Sequence, residues 1–223
     1  MSYAAIKFLH ILLLVFWLGT DLGVLLLSKK FRDSTLSVET RITLLQMAMI
    51  IDVLPRICFI IMLPVGVHLA NAIGVLDVGA LELAGLWLLA LVLLAVNMAA
   101  AKNMGNDLGV RLQRLNWLLL GLTGLVLIVA GLLPMFGGSP VIAPWLAAKL
   151  TIYGLIYWLA IGIDWAFMPI GKCVAELLEK GSSPALEQNI AVASDKSVVY
   201  VYAVYLAVAA AAFIGVAKPA FLS

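Results

Sequence analysis

Apolar residues in this chain are grouped in long uninterrupted runs that short polar segments separate. Each run has about the 20 residues that an α-helix needs to cross the roughly 30 Å of hydrocarbon in a bilayer. The runs lack the alternation of apolar and polar positions that marks a transmembrane β-strand. We therefore predict six membrane-spanning helices, at residues 8–28, 48–70, 83–101, 115–136, 145–170 and 198–216.

This pattern predicts an all-α fold, a polytopic membrane helix bundle that forms one domain over residues 1–223 and contacts the lipid bilayer on its outside. Composition agrees, because 65% of the residues are hydrophobic and only 12% are charged, which excludes a water-soluble core. The first apolar run is longer than the apolar part of a signal peptide, and no small-residue cleavage site follows it. We expect it to stay in the mature protein.

Lysine and arginine are concentrated in alternate connectors between the spans. The opposite connectors, near Asp77 and Ser139, contain no basic residue. The positive-inside rule then places the basic connectors in the cytoplasm and both termini on the non-cytoplasmic side of the cell's inner (plasma) membrane. The basic residues of the three connectors are Lys29, Lys30, Arg32 and Arg41; Lys102, Arg111 and Arg114; and Lys172, Lys180 and Lys196.

Several function classes are excluded by charge and motif content. The net charge of +2 is accounted for by these topology signals and indicates no nucleic-acid partner. The sequence has no Gly-rich phosphate loop, zinc-finger spacing or serine-hydrolase elbow, which argues against the chemistry of soluble enzymes. Cys58 lies inside a span and Cys173 just beyond another, so we expect both to be free thiols.

Three ionisable side chains lie inside the predicted spans near the non-cytoplasmic side. They are His10 in the first span, His68 in the second and Lys149 in the fifth. An ionisable residue within the membrane is costly and usually faces the bundle interior, so each is a candidate functional residue. The predicted topology places all three nitrogen donors at a similar depth on three helices.

These residue types are typical of a haem or metal site. Neutral imidazole is the commonest metal ligand in proteins and the usual ligand of haem iron, so His10 and His68 could hold a haem b between them. Lys149 could pair with a propionate, bind as a neutral amine or extend to the interface. The alternative for each histidine is a hydrogen bond to a neighbouring helix.

Helical spacing groups the candidates into faces. His10, Trp17 and Asp21 share one face of the first helix, and Lys149 and Tyr153 share one face of the fifth. We expect both faces to turn inward. Trp17 and Tyr153 would then either line a flat cofactor or pack as core and interface aromatics.

Charged residues also occur toward the cytoplasmic ends of the spans. Asp52 and Arg56 stand four positions apart with the acid first, which favours an ion pair within the helix. Asp21 and Asp164 lie near the cytoplasmic ends of the first and fifth spans. We interpret the Asp52–Arg56 pair as structural, since Arg56 is about 18 Å along the helix from His68 at 1.5 Å per residue.

Two segments resemble a known superfamily. The run KFLHIL at residues 7–12, followed by Trp17, resembles the first helix of the membrane proteins that include the copper-resistance D proteins and the HemJ-type protoporphyrinogen oxidases. The run PWLAAKL at residues 144–150 is similar to the Trp-Leu-x-x-Lys-Leu helix start of HemJ-type members. The resemblance implies that His10 and Lys149 belong to a haem-associated apparatus. HemJ-type proteins are smaller and carry an arginine where this chain has Asp21.

The leading hypothesis is a haem b membrane redox protein, either an electron carrier or a haem-dependent oxidoreductase. In it His10 and His68 are axial ligands and Lys149 lies beside the porphyrin. Its redox partner would be a membrane quinone, a porphyrinogen or another redox protein.

Two alternatives remain open. In the first, a copper transporter of the copper-resistance type, His10 and His68 bind the metal with Met62, Met135 or Cys58, and Asp21 or Asp164 completes a path. In the second, the chain is a structural subunit of a membrane complex or a homo-oligomer, in which Gly121, Gly124 and Gly131 form close helix contacts.

Overall fold

The computed structural model describes residues 2–136 and 142–218, without the side chains of Met135 and Phe136. Every regular element in these residues is helical. A short 3₁₀ turn, Leu133–Phe136, follows the fifth helix. The helices are α1 (Tyr3–Phe31), α2 (Val38–Ile51), α3 (Val53–Ala72), α4 (Ala80–Lys102), α5 (Asp107–Leu132), α6 (Pro144–Lys180) and α7 (Pro184–Ala217).

The predicted fold class is confirmed. Within residues 2–136 and 142–218, six helical segments are long and apolar enough to cross a membrane. Five of the predicted spans fall within them, and the fourth, 115–136, extends past the end of α5 at Leu132 into the 3₁₀ turn. The second segment, Val38–Ala72, consists of α2 and α3, which meet at Asp52. The kind of membrane and the side of each terminus stay predictions. The connector near Ser139 and the side chain of Met135 lie outside the described residues.

Local signals in the sequence account for where several helices begin. The side chains of Ser37, Asn106 and Ser183 each accept a hydrogen bond from a backbone N–H in the first turn of α2, α5 and α7. Such caps satisfy N–H groups that have no partner within the helix. Pro144 and Pro184 occupy the first turn of α6 and α7, where a missing N–H costs nothing.

Glycines allow α5 and α6 to pack backbone against backbone. A Cβ atom on Gly124 would lie 2.8 Å from the carbonyl oxygen of Gly154, and one on Gly154 would lie 2.5 Å from that of Gly124. A Cβ on Gly131 would lie 2.5 Å from the carbonyl oxygen of Ala147. Larger residues cannot fit at these positions. Gly124 and Gly131, which the sequence offered for contacts within or between chains, make contacts within the chain.

The bundle has two ends of different character. We call the end where α1 begins and α7 ends the terminal end, and the end with the Lys- and Arg-rich connectors the basic end. With 37 and 34 residues, α6 and α7 are about 55 and 51 Å long, well beyond the roughly 30 Å of hydrocarbon. When the hydrocarbon is counted from the terminal end, the remaining length of α6 and α7 lies at the basic end. A second apolar core there includes Phe31, Leu45 and Leu177.

A buried arginine ties the basic end together. Arg41 is only 1% exposed. Its Nε donates to the carbonyl oxygen of Phe31 at 2.8 Å, and its two terminal nitrogens donate to the carboxylate of Glu187 at 2.7 and 2.9 Å. This hydrogen bonding to Arg41 lowers the pKa of Glu187, which lies in the first turn of α7 beyond the predicted span. Three helices, α1, α2 and α7, thereby meet at one guanidinium.

Candidate functional site

His10 lies in α1 near the terminal end and packs against α3. A Cβ atom on Gly66 would lie 3.4 Å from Cε1 and 3.8 Å from Nδ1 of the imidazole, so the ring rests on the backbone of α3 where a side chain is missing. The Nδ1 atom is buried and has no hydrogen-bond partner. The imidazole of His10 is therefore a polar ring whose Nδ1 atom lies in the interior without a hydrogen bond.

His68 lies on a different side of α3. It follows Gly66 by two positions, which is about 200° around a helix of 3.6 residues per turn. Since His10 contacts the Gly66 side of α3, His68 points away from His10. It is half-buried. The structure therefore does not bring the two histidines face to face across one cofactor.

Lys149 reaches from α6 toward α7 and α1. A Cβ atom on Gly215 would lie 2.6 Å from its Nζ, so the amine occupies space that the glycine leaves open. Among the described residues no hydrogen bond joins His10 and Lys149, but the two are near enough to interact electrostatically. We call them the terminal-end pair.

An aromatic cluster lies deeper in the bundle than this pair. Trp17 is 5% exposed, and its ring centroid lies 5.4 Å from that of Phe59 and 6.4 Å from that of Tyr153. The hydroxyl of Tyr153 donates to the carbonyl oxygen of Phe59. The ring of Tyr157, which is fully buried, is tilted against that of Phe59 with the two centroids 4.5 Å apart. Trp17 and Tyr153 thus pack on other aromatic rings and separate the terminal-end pair from the polar residues beyond.

Beyond the aromatic cluster, ion pairs connect three helices. Arg56 donates from Nε to Asp52 at 2.5 Å, which confirms the predicted pair, and from a terminal nitrogen to Asp164 of α6 at 3.2 Å. Asp164 also accepts from Gln113 at 2.9 Å and from the indole of Trp117 at 3.4 Å, both on α5. One carboxylate therefore joins α3, α5 and α6.

A third carboxylate, Asp21 of α1, lies close to Asp52 and Arg56. Next to it is the buried hydroxyl of Tyr205 on α7. We call Asp21, Asp52, Arg56 and Asp164 the charge layer. It lies between the apolar core of the spans and the second core at the basic end. Asp52 and Asp164 share the Arg56 guanidinium as their ion-pair partner, and Asp21 forms no ion pair among the described residues.

The side chains of the charge layer are partly exposed. The side chains of Arg56, Asp52 and Asp164 are 33%, 25% and 15% accessible. In contrast, an apolar groove of about 530 Å³ opens at the terminal end between α3, α4, α5 and α6. Its lining residues include Val67, which precedes His68, and Leu150, which follows Lys149. The partly exposed charge layer and the apolar groove thus lie toward opposite ends of the bundle.

Comparison of the chain with protein-family models, with curated proteins and with solved structures finds no match. The resemblance to the copper-resistance D and HemJ-type proteins therefore stays a prediction. Within residues 2–136 and 142–218, no group of three or more His, Cys, Asp or Glu side chains is arranged to hold a metal ion. Both cysteines, Cys58 and Cys173, are free and buried, as expected.

Some of the polar contacts could not be predicted from the sequence. Asp164 and Arg56 could be singled out as ionisable residues in apolar segments, but nothing in the sequence indicated that they pair across 108 positions. Gln113 and Trp117 are ordinary residues for the end of a span. Their role as donors to Asp164 depends on the rotation of α5 against α6, which the close contact at Gly124 fixes.

Proposed function

We propose that the protein is a haem b membrane redox protein and that His10 is an axial ligand at the terminal end. The observation that supports this most is the buried Nδ1 atom of His10, which has no partner. An unpaired buried polar atom costs about 1–3 kcal/mol. Binding a metal through Nδ1 would satisfy this atom and offset the cost, and imidazole is the usual protein ligand of haem iron.

Lys149, rather than His68, is the second residue of the proposed site. It approaches His10 from α6, whereas His68 points to another side of α3. Its ammonium would pair with a haem propionate, or its neutral amine would complete the axial ligands. Trp17 and Tyr153 would close the site on the side of the bilayer centre.

Bound haem iron supplies one-electron redox chemistry, and the residues around it set its potential and its access to partners. The apolar groove at the same end offers a membrane-soluble electron donor or acceptor, such as a quinone or a porphyrinogen, a route from the lipid. The role of the chain is to hold the iron between helices and to keep water away from it.

The test is the visible spectrum of detergent-purified protein from cells supplied with haem, oxidised and then reduced with dithionite, together with iron analysis. We expect sharp reduced bands and their loss in His10→Ala. His68→Ala is the matched control and should keep them, whereas Lys149→Met should shift the bands or lower the haem content. Thermal unfolding of each variant shows whether it is folded.

A featureless, iron-free spectrum of the wild-type protein would overturn the proposal. Loss of the bands in His68→Ala with their retention in His10→Ala would overturn the assignment of ligands. Magnetic circular dichroism in the near infrared then distinguishes imidazole–amine from bis-imidazole ligation.

Transport of a metal cation, copper included, is a second candidate, and a different observation favours it. The charge layer has three carboxylates and one cation, and its side chains are partly exposed, although the described residues include no group of carboxylates arranged to hold a metal ion. Excess carboxylates in an apolar surrounding attract a cation. A colourless protein that binds copper stoichiometrically, and whose metal uptake into proteoliposomes is lost in Asp21→Asn, would favour this function over haem binding.

A further inference from the structure

A groove of about 300 Å³ lies on the outside of the bundle between α6 and α7. Trp165, Lys196, Val199 and Tyr200 line it. Trp165 is 55% exposed, and Val199 and Lys196 are exposed as well. The groove is separate from the terminal-end pair and from the inward-facing charge layer, although Trp165 follows Asp164 in the chain.

The floor of the groove is built by a close helix contact. A Cβ atom on Gly162 would lie 2.5 Å from Cε1 of Tyr200. The tyrosine ring therefore rests on the backbone of α6, which only glycine permits. Because the ring fills the gap between the two helices, the groove is a shallow surface depression rather than an opening into the bundle.

The groove lies at the depth of lipid headgroups at the basic end. At about 1.5 Å per residue, Lys196 is roughly 31 Å along the axis from Ala217, the last residue of α7, and Trp165 is roughly 31 Å from Pro144, the first of α6. The hydrocarbon is about 30 Å thick. Both residues therefore reach the same boundary, where tryptophan and lysine side chains are typically found.

The charge of the groove is positive. Lys196 forms no ion pair within the described part of the chain, and no carboxylate lines the groove. The neighbouring Asp195 is paired with Arg32 instead. Lys172 lies two turns beyond Trp165 on the same face of α6, also exposed. Each lysine near a membrane surface contributes about 1 kcal/mol of attraction to anionic lipid.

An apolar track leads from the groove into the bilayer. Val199, Leu206 and Phe213 are spaced seven positions apart and form one exposed ridge of α7. This ridge runs from the groove toward the terminal end. An acyl chain lying along it would have its headgroup beside Lys196.

We propose that this groove is a binding site for one anionic phospholipid. Lys196, with Lys172 behind it, binds the phosphate, Trp165 and Tyr200 contact the glycerol region, and the ridge of α7 contacts an acyl chain. A basic groove between helices at the headgroup boundary is the kind of surface that retains an anionic lipid.

The test compares the thermal unfolding midpoint of delipidated protein in neutral detergent after adding phosphatidylglycerol or phosphatidylcholine. We expect a larger rise with phosphatidylglycerol and about one such lipid retained per chain by native mass spectrometry. Lys196→Gln should remove most of the difference between the two lipids, and Trp165→Leu should reduce it. Lys102→Gln, another lysine at the basic end, should leave it unchanged.

Equal effects of the two lipids would overturn the proposal. So would an equal loss in Lys102→Gln and Lys196→Gln, because it would indicate attraction by the overall charge of the basic end. Inorganic phosphate added alone should not raise the midpoint. If it reproduces the effect of phosphatidylglycerol, the groove binds an anion and not a lipid.

Discussion

The terminal-end pair and the charge layer are both polar groups within apolar helices, yet they differ in how their polar atoms are satisfied. In the charge layer, Arg56 binds two carboxylates, and Asp164 accepts hydrogen bonds from two further side chains. His10 has a buried nitrogen with no partner at all. Paired groups hold helices together, whereas an unpaired buried group lowers stability. The hydroxyl of Tyr157 and the amide nitrogen of Asn116 are unpaired within the described residues as well, so His10 is a candidate site because its free atom is also a metal ligand by its chemistry.

The largest expected effect follows from removing the cation of the charge layer. Arg56→Met leaves Asp52 and Asp164 without their cation, and because the side chains of these pairs are partly exposed, this costs about 2–4 kcal/mol, between the values for exposed and for fully buried pairs. The free energy of unfolding should fall by this amount in an SDS titration followed by far-UV circular dichroism. Arg111→Met is the control, since Arg111 is exposed and belongs to none of the ion pairs described. Equal stability of the two variants would show that the charge layer is not structural.

The second effect concerns the other paired arginine, Arg41. Its hydrogen bonds lower the pKa of Glu187, so this pair contributes fully above the ordinary pKa of a glutamate, about 4.3. The contribution is lost as the pH falls from there through the lowered pKa of the folded state. Glu187→Gln should cost about 2 kcal/mol at pH 7 and reduce the loss of stability on acidification.

Thermal unfolding between pH 7 and pH 3 measures this dependence, with Glu179→Gln as the control because Glu179 forms no ion pair among the described residues. An unchanged acid profile in Glu187→Gln would assign the acid sensitivity to other carboxylates.

A smaller change in stability, but a large change in binding, is expected at Gly66. The Cβ atom of a valine there would be in ordinary contact with the His10 ring, and we expect its γ-methyl groups to displace the ring at a cost of about 1–3 kcal/mol for overpacking. The haem bands should weaken strongly. Gly23→Val is the control, because a Cβ atom there would meet nothing within 4 Å. Full haem content in Gly66→Val would place the iron away from this contact.

The smallest effect on folding is expected at the candidate ligand itself. His10→Leu removes an unpaired polar atom from the interior, so the haem-free protein should be as stable as wild type or more stable by up to about 1 kcal/mol. The same variant should have no haem bands. A clear loss of stability in the haem-free protein would show that His10 makes a stabilising contact, as the paired residues of the charge layer do.

The sequence was sufficient for the fold because long apolar runs leave the backbone no alternative to helix. It was also sufficient for the Asp52–Arg56 pair, which depends only on spacing within one segment. It was not sufficient to predict whether His10 and His68 face each other. Both lie at the same end of the bundle, and only the contact with Gly66 shows which side of α3 faces α1. Depth follows from position along a helix, but facing depends on tertiary packing.

The close spacing of Asp52 and Arg56 has a consequence for biosynthesis. An arginine or aspartate costs about 2.5–3.5 kcal/mol at the centre of a nascent span and less toward its end, where Asp52 and Arg56 lie. The two residues are one helical turn apart and can neutralise each other as soon as this segment has been synthesised. Asp164, which completes the network, is synthesised 108 residues later. The second span can therefore enter the bilayer early with the Asp52–Arg56 pair already formed. Arg56 gains Asp164 as a second partner when α6 is inserted.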